Sequence, residues 1–199
     1  MTCIICDAPQ GSDAWHASRL GRYTGSSADD LSDSHAIRLA LERITEKPVG
    51  EEFSNADTKR GNELEPYARM RYEAKTGEIV NEAGFAYLPT IMAGCSVDGF
   101  VGDDGIVEIK CPRTTTHVGY LLNDCVPQQY VPQIIHNLWI TGREWCDFVS
   151  YDNTLPLKLQ LFVKRWAPPP AAIANHESRA LRFLFKVKDY EDQLRGRME

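Results

Sequence analysis

Three charged residues stand close together in "SVDGFVGDDGIVEIKCP", Ser96 to Pro112: Asp98, Glu108 and Lys110. The rest of the stretch is apolar or turn-forming and reads as a buried pair of β-strands joined at "GDDG". In an antiparallel pair, directly opposed residues share a face, so the loop length decides where the charges point. A three-residue loop with Gly105 in the left-handed position pairs Gly102 with Ile106, Phe100 with Glu108 and Asp98 with Lys110. Asp98, Glu108 and Lys110 then share one face, while Val107 and Ile109 turn to the core. A two-residue loop would instead send Asp98 to the opposite face.

Two carboxylates on a buried strand pair repel each other, and each is costly to ionise alone. A divalent cation relieves both penalties. Hard oxygen ligands favour Mg²⁺, with Mn²⁺ as an alternative, and such ions also bind phosphates. A lysine two residues beyond Glu108 can orient or help deprotonate a water and offset charge on a phosphate. The plain alternative is a solvated hairpin with a Glu-Lys pair at its edge. "EIK" alone favours that alternative, and Asp98 together with the glycine turn shifts the balance toward a site.

The elements that must hold these residues fit one enzyme-sized domain over residues 1–199. The chain is 43% hydrophobic and 25% charged, which suits an α/β (α+β) fold with a central mixed β-sheet flanked by helices. Expected helices cover His35 to Thr45, "GNELEPYARMRYEAKTG" with Pro66 in its first turn, "PQQYVPQIIHNLWITG", and Ala171 to Arg195 within a C-terminal segment 171–199. The last of these carries Leu181, Leu184, Phe185 and Leu194 on one side, a face that serves a core and an interface equally well. Strands are expected near Phe85 to Leu88, Ala93 to Val101, "EWCDFVSYD" and "LKLQLFVKRW", the last alternating Leu159, Leu161 and Val163 against Gln160, Phe162 and Lys164. "RLGRYTGSSADDL" reads as a loop closing on a helix N-terminus capped by Ser26 or Ser27.

The formal charge of −6 excludes a generally basic nucleic-acid coat, so a polyanion must be held by a local basic patch or by bound cations. There is no basic-then-apolar leader and no run of about 18 apolar residues, which sets the expectation of a soluble, cytoplasmic protein without a membrane. The six cysteines read as reduced thiols, with Cys3 and Cys6 on a flexible N-terminus spanning residues 1–12. Zinc or an iron-sulfur cluster at Cys3 and Cys6 is the weaker alternative, because no second CxxC follows. Trp15, Trp139 and Trp145 read as packing residues, and none of the five histidines is given a catalytic role.

The blocks "DAWHASRLGRYTGSS", "RGNELEPYARMRYEAKTG", "CSVDGFVGDDGIVEIKCP", "YVPQIIHNLWITGREW" and "DFVSYD" resemble, in order, those of the phage lambda exonuclease or YqaJ-type alkaline exonucleases. That family belongs to the PD-(D/E)xK nucleases, whose core is restriction-endonuclease-like. The resemblance implies a single nuclease domain digesting one strand of duplex DNA processively from a 5′ end as a ring-shaped homotrimer, with a strand-annealing protein as possible partner. By the same resemblance, Asp98, Glu108 and the carbonyl of Ile109 match metal ligands, Lys110 the catalytic lysine, and Glu65 the helical carboxylate near the metals. Gln133 matches the glutamine that follows the family's tyrosine, here Tyr130. Arg19 and Ser26 match the pocket for the 5′-terminal phosphate, with Ser96 a third member.

Two departures stand out. Val97 replaces the superfamily's proline, which bears on backbone stiffness rather than on ligation. The span between Ser27 and Gly61 is short, which puts the manner of strand separation in question. Rival readings are another nuclease of the superfamily, such as an endonuclease or junction nuclease, and a non-catalytic DNA-end-binding module.

Overall fold

The computed structural model describes residues 3–50 and 56–198. Its strands are β1 (Ile4–Cys6), β2 (Tyr23–Thr24), β3 (Val80–Asn81), β4 (Phe85–Tyr87), β5 (Ala93–Ser96), β6 (Gly99–Val101), β7 (Gly105–Lys110), β8 (Trp145–Tyr151) and β9 (Leu161–Trp166). The helices are α1 (Asp13–Arg19), α2 (Asp33–Thr45), α3 (Ala56–Thr76), α4 (Thr114–Asn123), α5 (Val131–Thr141) and α6 (Pro170–Arg195). They build a mixed α/β architecture with two sheets, one in the order β1-β4-β5-β2 and one in the order β3-β6-β7-β8-β9. β7 runs parallel to β8 and antiparallel to β6, so the second sheet is itself mixed.

This larger sheet is covered on both faces. On one side Val107 and Ile109 pack with Val101, Val149 and Leu161 against Ala68 and Tyr72 of α3. On the other, Phe100, Ile106 and Phe148 join the main core with Ile134 and Leu138 of α5 and Phe183 of α6. Burying each such aliphatic or aromatic side chain is worth about 1.5–3 kcal/mol, enough to fix which residues of β7 turn to which face. The alternate positions Glu108 and Lys110 therefore lie on the α5 side.

The hairpin register differs from the expected one. Gly99 pairs with Val107, Phe100 with Ile106 and Val101 with Gly105, a two-residue slip that leaves every face unchanged. Asp98 thus precedes the strand on the face of Glu108 and Lys110, but it is not paired across from Lys110. Gly102, at φ 53°, takes the left-handed position that had been expected of Gly105. Contacts from the entry to β8 set this turn: Arg143 donates to the Gly102 carbonyl (2.6 Å), and the Glu144 N–H donates to that of Asp104 (2.8 Å). Gly105 is needed for space, since a Cβ there would stand 2.2 Å from the Trp145 ring. We expect Gly105→Ala to cost about 1–3 kcal/mol of stability, read as a lowered urea midpoint with unchanged slope.

Other elements also depart from expectation. The stretch Ala93 to Val101 is broken at Val97 and Asp98, where the chain passes from one sheet to the other. Pro66 lies inside α3, not in its first turn. The upstream half is held by Arg60, which donates to the carbonyls of Cys111 (2.6 Å) and Pro112 (2.5 Å) and to Asp152 Oδ1 (3.1 Å). Those tertiary bonds offset the backbone hydrogen bond that proline removes.

Ser26 and Ser27 cap no helix; they lie in a 3-10 turn, Gly25–Ser27, and Ser32 caps α2 by accepting the His35 N–H (3.2 Å). In α6 the buried stripe is His176, Ala180, Phe183, Leu184, Val187 and Glu191, leaving Leu181 and Phe185 exposed. Those positions follow helical spacing more closely than the Leu and Phe positions alone. Leu159 sits in a 3-10 turn before β9, not in the strand. The N-terminal segment is not free: β1 pairs with β4 through Ile4–Tyr87, Ile5–Ala86 and Cys6–Phe85. Part of the short span between Ser27 and Gly61 lies outside the described residues.

Candidate active site

The bend at Asp98, the turn that carries Ser26, and helices α1 and α3 line a cavity of about 1290 Å³. Its walls include Trp15, Arg19, Ser26, Glu65, Arg69 and Asp98. The guanidiniums of Arg19 and Arg69 and the Ser26 hydroxyl thus share one open space with the carboxylates of Asp7, Glu65, Glu82 and Asp98. Glu108 stands behind this wall, 1% exposed, with Lys110 beside it and more open to solvent.

Three donors grip the Glu108 carboxylate. Lys110 Nζ lies 2.5 Å and Gln133 Nε2 2.6 Å from Oε1, while Asn137 Nδ2 lies 3.2 Å from Oε2. Gln133 and Asn137 are one helical turn apart on α5, so the side chains stack on the same face. Pro132 fits in the first turn of α5, and Gly142 ends it in the left-handed conformation at φ 70°. Lys110 also lies 5.4 Å from the Tyr130 ring centroid.

Asp98 Oδ2 accepts the Ile109 N–H at 2.6 Å, tying the bend to the C-terminal end of β7. Glu65, one turn before Arg69 on α3, accepts from its guanidinium at 3.3 Å. Arg69 also reaches the Asp98 carbonyl at 3.5 Å and pairs with Glu82.

Burial pushes the Glu108 carboxyl up to about 7, and Asp98 and Glu65 add repulsion that Lys110 only partly offsets. Glu65 is likewise pushed up to about 7, by burial and then by Asp98. Asp98 is raised by burial against the pull of Lys110 and the Ile109 N–H. Burial alone would lower the Lys110 ammonium, but Glu108 and Asp98 together hold it above its ordinary value. The group is three mutually repelling carboxylates with too little positive charge between them. Hard oxygen donors in that state fit a divalent cation such as Mg²⁺, which needs only one or two protein carboxylates and keeps several waters. Among the described residues, no three of His, Cys, Asp and Glu are gathered at metal-binding spacing, at Cys3 and Cys6 or elsewhere.

At the other end of the cavity, Arg19 Nη1 donates to Ser96 Oγ at 2.9 Å, and Trp15 Nε1 donates to the same oxygen at 3.1 Å. The Ser96 hydroxyl, having accepted twice, keeps its own hydrogen to donate. The guanidinium carbon of Arg19 lies 4.2 Å from the Trp15 ring centroid and 5.7 Å from that of Phe85. Among the described residues no carboxylate pairs with Arg19, and burial lowers its pKa. An unpaired, desolvated guanidinium beside serine hydroxyls is suited to a phosphate.

The fold thus brings Asp98, Glu65, Arg19 and Ser26 to one cavity, with Glu108, Lys110, Gln133 and Ser96 bonded or paired immediately around it. Sequence reasoning passed over Asn137, Arg69 and Trp15. Their spacing held a usable signal, since each is one helical turn from a residue already singled out: Gln133, Glu65 and Arg19.

The chain matches the YqaJ-like viral recombinase domain over residues 14–144. It belongs to that family. The cavity and carboxylate residues from Trp15 to Asn137 lie within the matched span. Among solved structures it resembles an alkaline exonuclease from Laribacter hongkongensis, LHK-Exo, at 38% identity and TM-score 0.87, covering 94% of this chain and 98% of that one. The same exonuclease in complex with dAMP matches at 39% identity and TM-score 0.87, with the same coverage. A phage-related exonuclease from Haemophilus somnus 129PT shares the fold, at 16% identity and TM-score 0.68 over 89% of this chain and 96% of that one. No curated protein sequence matches. No helix among the described residues is long and apolar enough to cross a membrane.

Proposed function

We propose that the chain is a Mg²⁺-dependent exonuclease that hydrolyses one strand of linear double-stranded DNA from a 5′-phosphorylated end, processively and in the 5′-to-3′ direction, leaving 3′ single-stranded tails. The carrying observation is the shared cavity, which places Ser26 and an Arg19 that has no carboxylate partner among the described residues in one space with Asp98 and Glu65. Membership of the family and the likeness to an alkaline exonuclease, one form of which holds dAMP, support the same reading.

Asp98, Glu108, the Ile109 carbonyl and Glu65 would hold the cation, which when bound polarises the scissile phosphate and lowers the pKa of water. Gln133 and Asn137 keep the Glu108 carboxylate oriented. Lys110, paired with Glu108 and held as a cation, donates hydrogen bonds to the attacking water and to a phosphate oxygen; it does not take the proton. The water oxygen bonds to phosphorus as the P–O3′ bond breaks; the attacking water gives its proton to solvent and the leaving 3′-oxygen takes one up from solvent, so the step balances without Lys110 changing its charge. The new end therefore carries the 5′-phosphate that Arg19, Ser26 and Ser96 receive next. A ring-shaped homotrimer acting with a strand-annealing protein belongs to the same proposal, as does Mn²⁺ as a substitute ion.

Mg²⁺ titration with linear and covalently closed circular duplex tests the reaction class. Metal-dependent release of nucleotides from the linear form alone is expected; cutting of the circle would favour an endonuclease, and no cutting would favour an end-binding module.

Stability should also respond to metal in a pH-dependent way. The folded-state pKa values of Glu65 and Glu108, about 7, lie above the unfolded value of roughly 4.3, so their stabilising contribution is full below that value and lost as pH rises through about 7. The buried pair His136 and His176, lowered to about 3 and about 4, acts in the opposite sense, losing stability as pH falls below roughly 6.5. The difference in melting temperature with and without Mg²⁺ removes the histidine contribution. That difference is expected to be small near pH 5 and to grow through about 7; a pH-independent difference would contradict the carboxylate assignment.

A further inference from the structure

The two α5 side chains that hold Glu108 also press on the turn that carries Ser26. A Cβ built on Gly25 would stand 2.3 Å from Asn137 Oδ1 and 3.5 Å from Gln133 Cγ. Gly25 is not in the left-handed region, so the glycine serves closeness, not backbone freedom. No atom intervenes between the turn and the Asn137 amide.

Asn137 is itself fully buried and faces two ways. Its Nδ2 donates to Glu108 Oε2, while its Oδ1, set against Gly25, is buried with no hydrogen-bond partner. An unsatisfied buried acceptor gains when a donor or a better position is offered, so this end of the amide is the one poised to respond to the turn. The backbone beneath it is fixed, since Thr141 Oγ1 donates to the Asn137 carbonyl at 2.7 Å. Lys110 and Gln133 both hold Oε1, so Asn137 provides the grip on Oε2. Losing it would let the carboxylate turn about its last torsion without losing its burial or its charge partner.

We infer that Asn137 is a positioning residue that links the terminal-phosphate turn to Glu108, so that a phosphate held by Arg19 and Ser26 brings the carboxylate into its working orientation. End recognition and hydrolysis are then coupled through one amide, and a 5′-phosphate accelerates turnover as well as binding. This rests on the nuclease reading above.

The test measures kcat and KM for release of the first nucleotide, since every later end carries a 5′-phosphate, on linear duplex carrying 5′-phosphate or 5′-hydroxyl, for the wild type, Asn137→Ala, Asn137→Asp, Gly25→Ala and the Gly25→Ala/Asn137→Ala pair, with melting temperatures alongside. Asn137→Asp keeps the shape but sets a carboxylate against Glu108, and it serves where Gly25→Ala does not fold. The wild type should favour the phosphorylated end in kcat. Asn137→Ala and Asn137→Asp should lower kcat on that end by about tenfold with little change in KM, and the phosphate-to-hydroxyl ratio of kcat should fall toward one. The double variant should lose no more than either single one. Equal losses on both ends, or a wild-type ratio retained in the Asn137 variants, would overturn the coupling. A wild type that hydrolyses both ends equally also overturns it, and with it the end preference, while leaving hydrolysis itself intact, whereas a wild type with no hydrolysis defeats the nuclease reading.

Discussion

Lys110→Ala is expected to lower DNA hydrolysis by about a thousandfold while binding of duplex stays near wild type. The size follows from position. Lys110 is the cation paired with Glu108 at 2.5 Å, it is exposed enough to meet solvent, and Glu108 and Asp98 keep it charged. Its ammonium is therefore available to a water and to the charge that grows on the phosphate, a contribution absent from substrate binding by the distant Arg19 end. Removing it also leaves Glu108, already pushed up to about 7, without its counter-charge, so the carboxyl stays protonated to higher pH and holds a cation less well. Lys110→Arg should recover little, because the planar fork cannot occupy the place of a compact ammonium. Single-turnover rates with an electrophoretic mobility assay separate the two effects, and near-normal hydrolysis by Lys110→Ala would remove the residue from the mechanism.

In release of the first nucleotide, Arg19→Ala should cost about ten- to a hundredfold on 5′-phosphorylated ends and little on 5′-hydroxyl ends. A hydrogen bond to a charged group is worth about 1.5–3 kcal/mol, which converts to that range. Arg19 has the features of a residue kept for a ligand: it lies against Trp15 and Phe85, donates to Ser96, and has no carboxylate partner among the described residues. Because the loss is specific to one end chemistry, comparison of the two substrates distinguishes a phosphate contact from a general defect. Equal loss on both would make Arg19 a packing residue.

Much of this site was legible because its chemistry is written in short range. The face shared by Asp98, Glu108 and Lys110 follows from parity, and parity survives a two-residue slip. The register itself was not legible, because Arg143 and Trp145, some forty residues away, fix the turn. Helix α5 announced both its ends, by Pro132 and Gly142. The start of α3 did not announce itself, since Pro66 mimics a first turn and it is Arg60, bonded to the two residues that follow β7, that shows why the helix extends upstream. The edge strand β1 pairs three residues with β4, too short for an alternating pattern to be seen. The packed side of α6 includes Ala180, His176 and Glu191, types that a search for large apolar residues passes over. Asn137 was hidden for the opposite reason: an asparagine in a helix is ordinary until Glu108 and Gly25 are found on either side of it.

The central claim is that one cavity joins a terminal-phosphate pocket to a hydrolytic centre, and end-labelled linear duplex tests it most directly. With label at the 5′ terminus or the 3′ terminus of one strand, each with and without a 5′-phosphate, the account predicts early release of 5′ label as mononucleotide, late release of 3′ label, and faster digestion of the phosphorylated duplex. Early release of the 3′ label, or digestion indifferent to the 5′-phosphate, would contradict it.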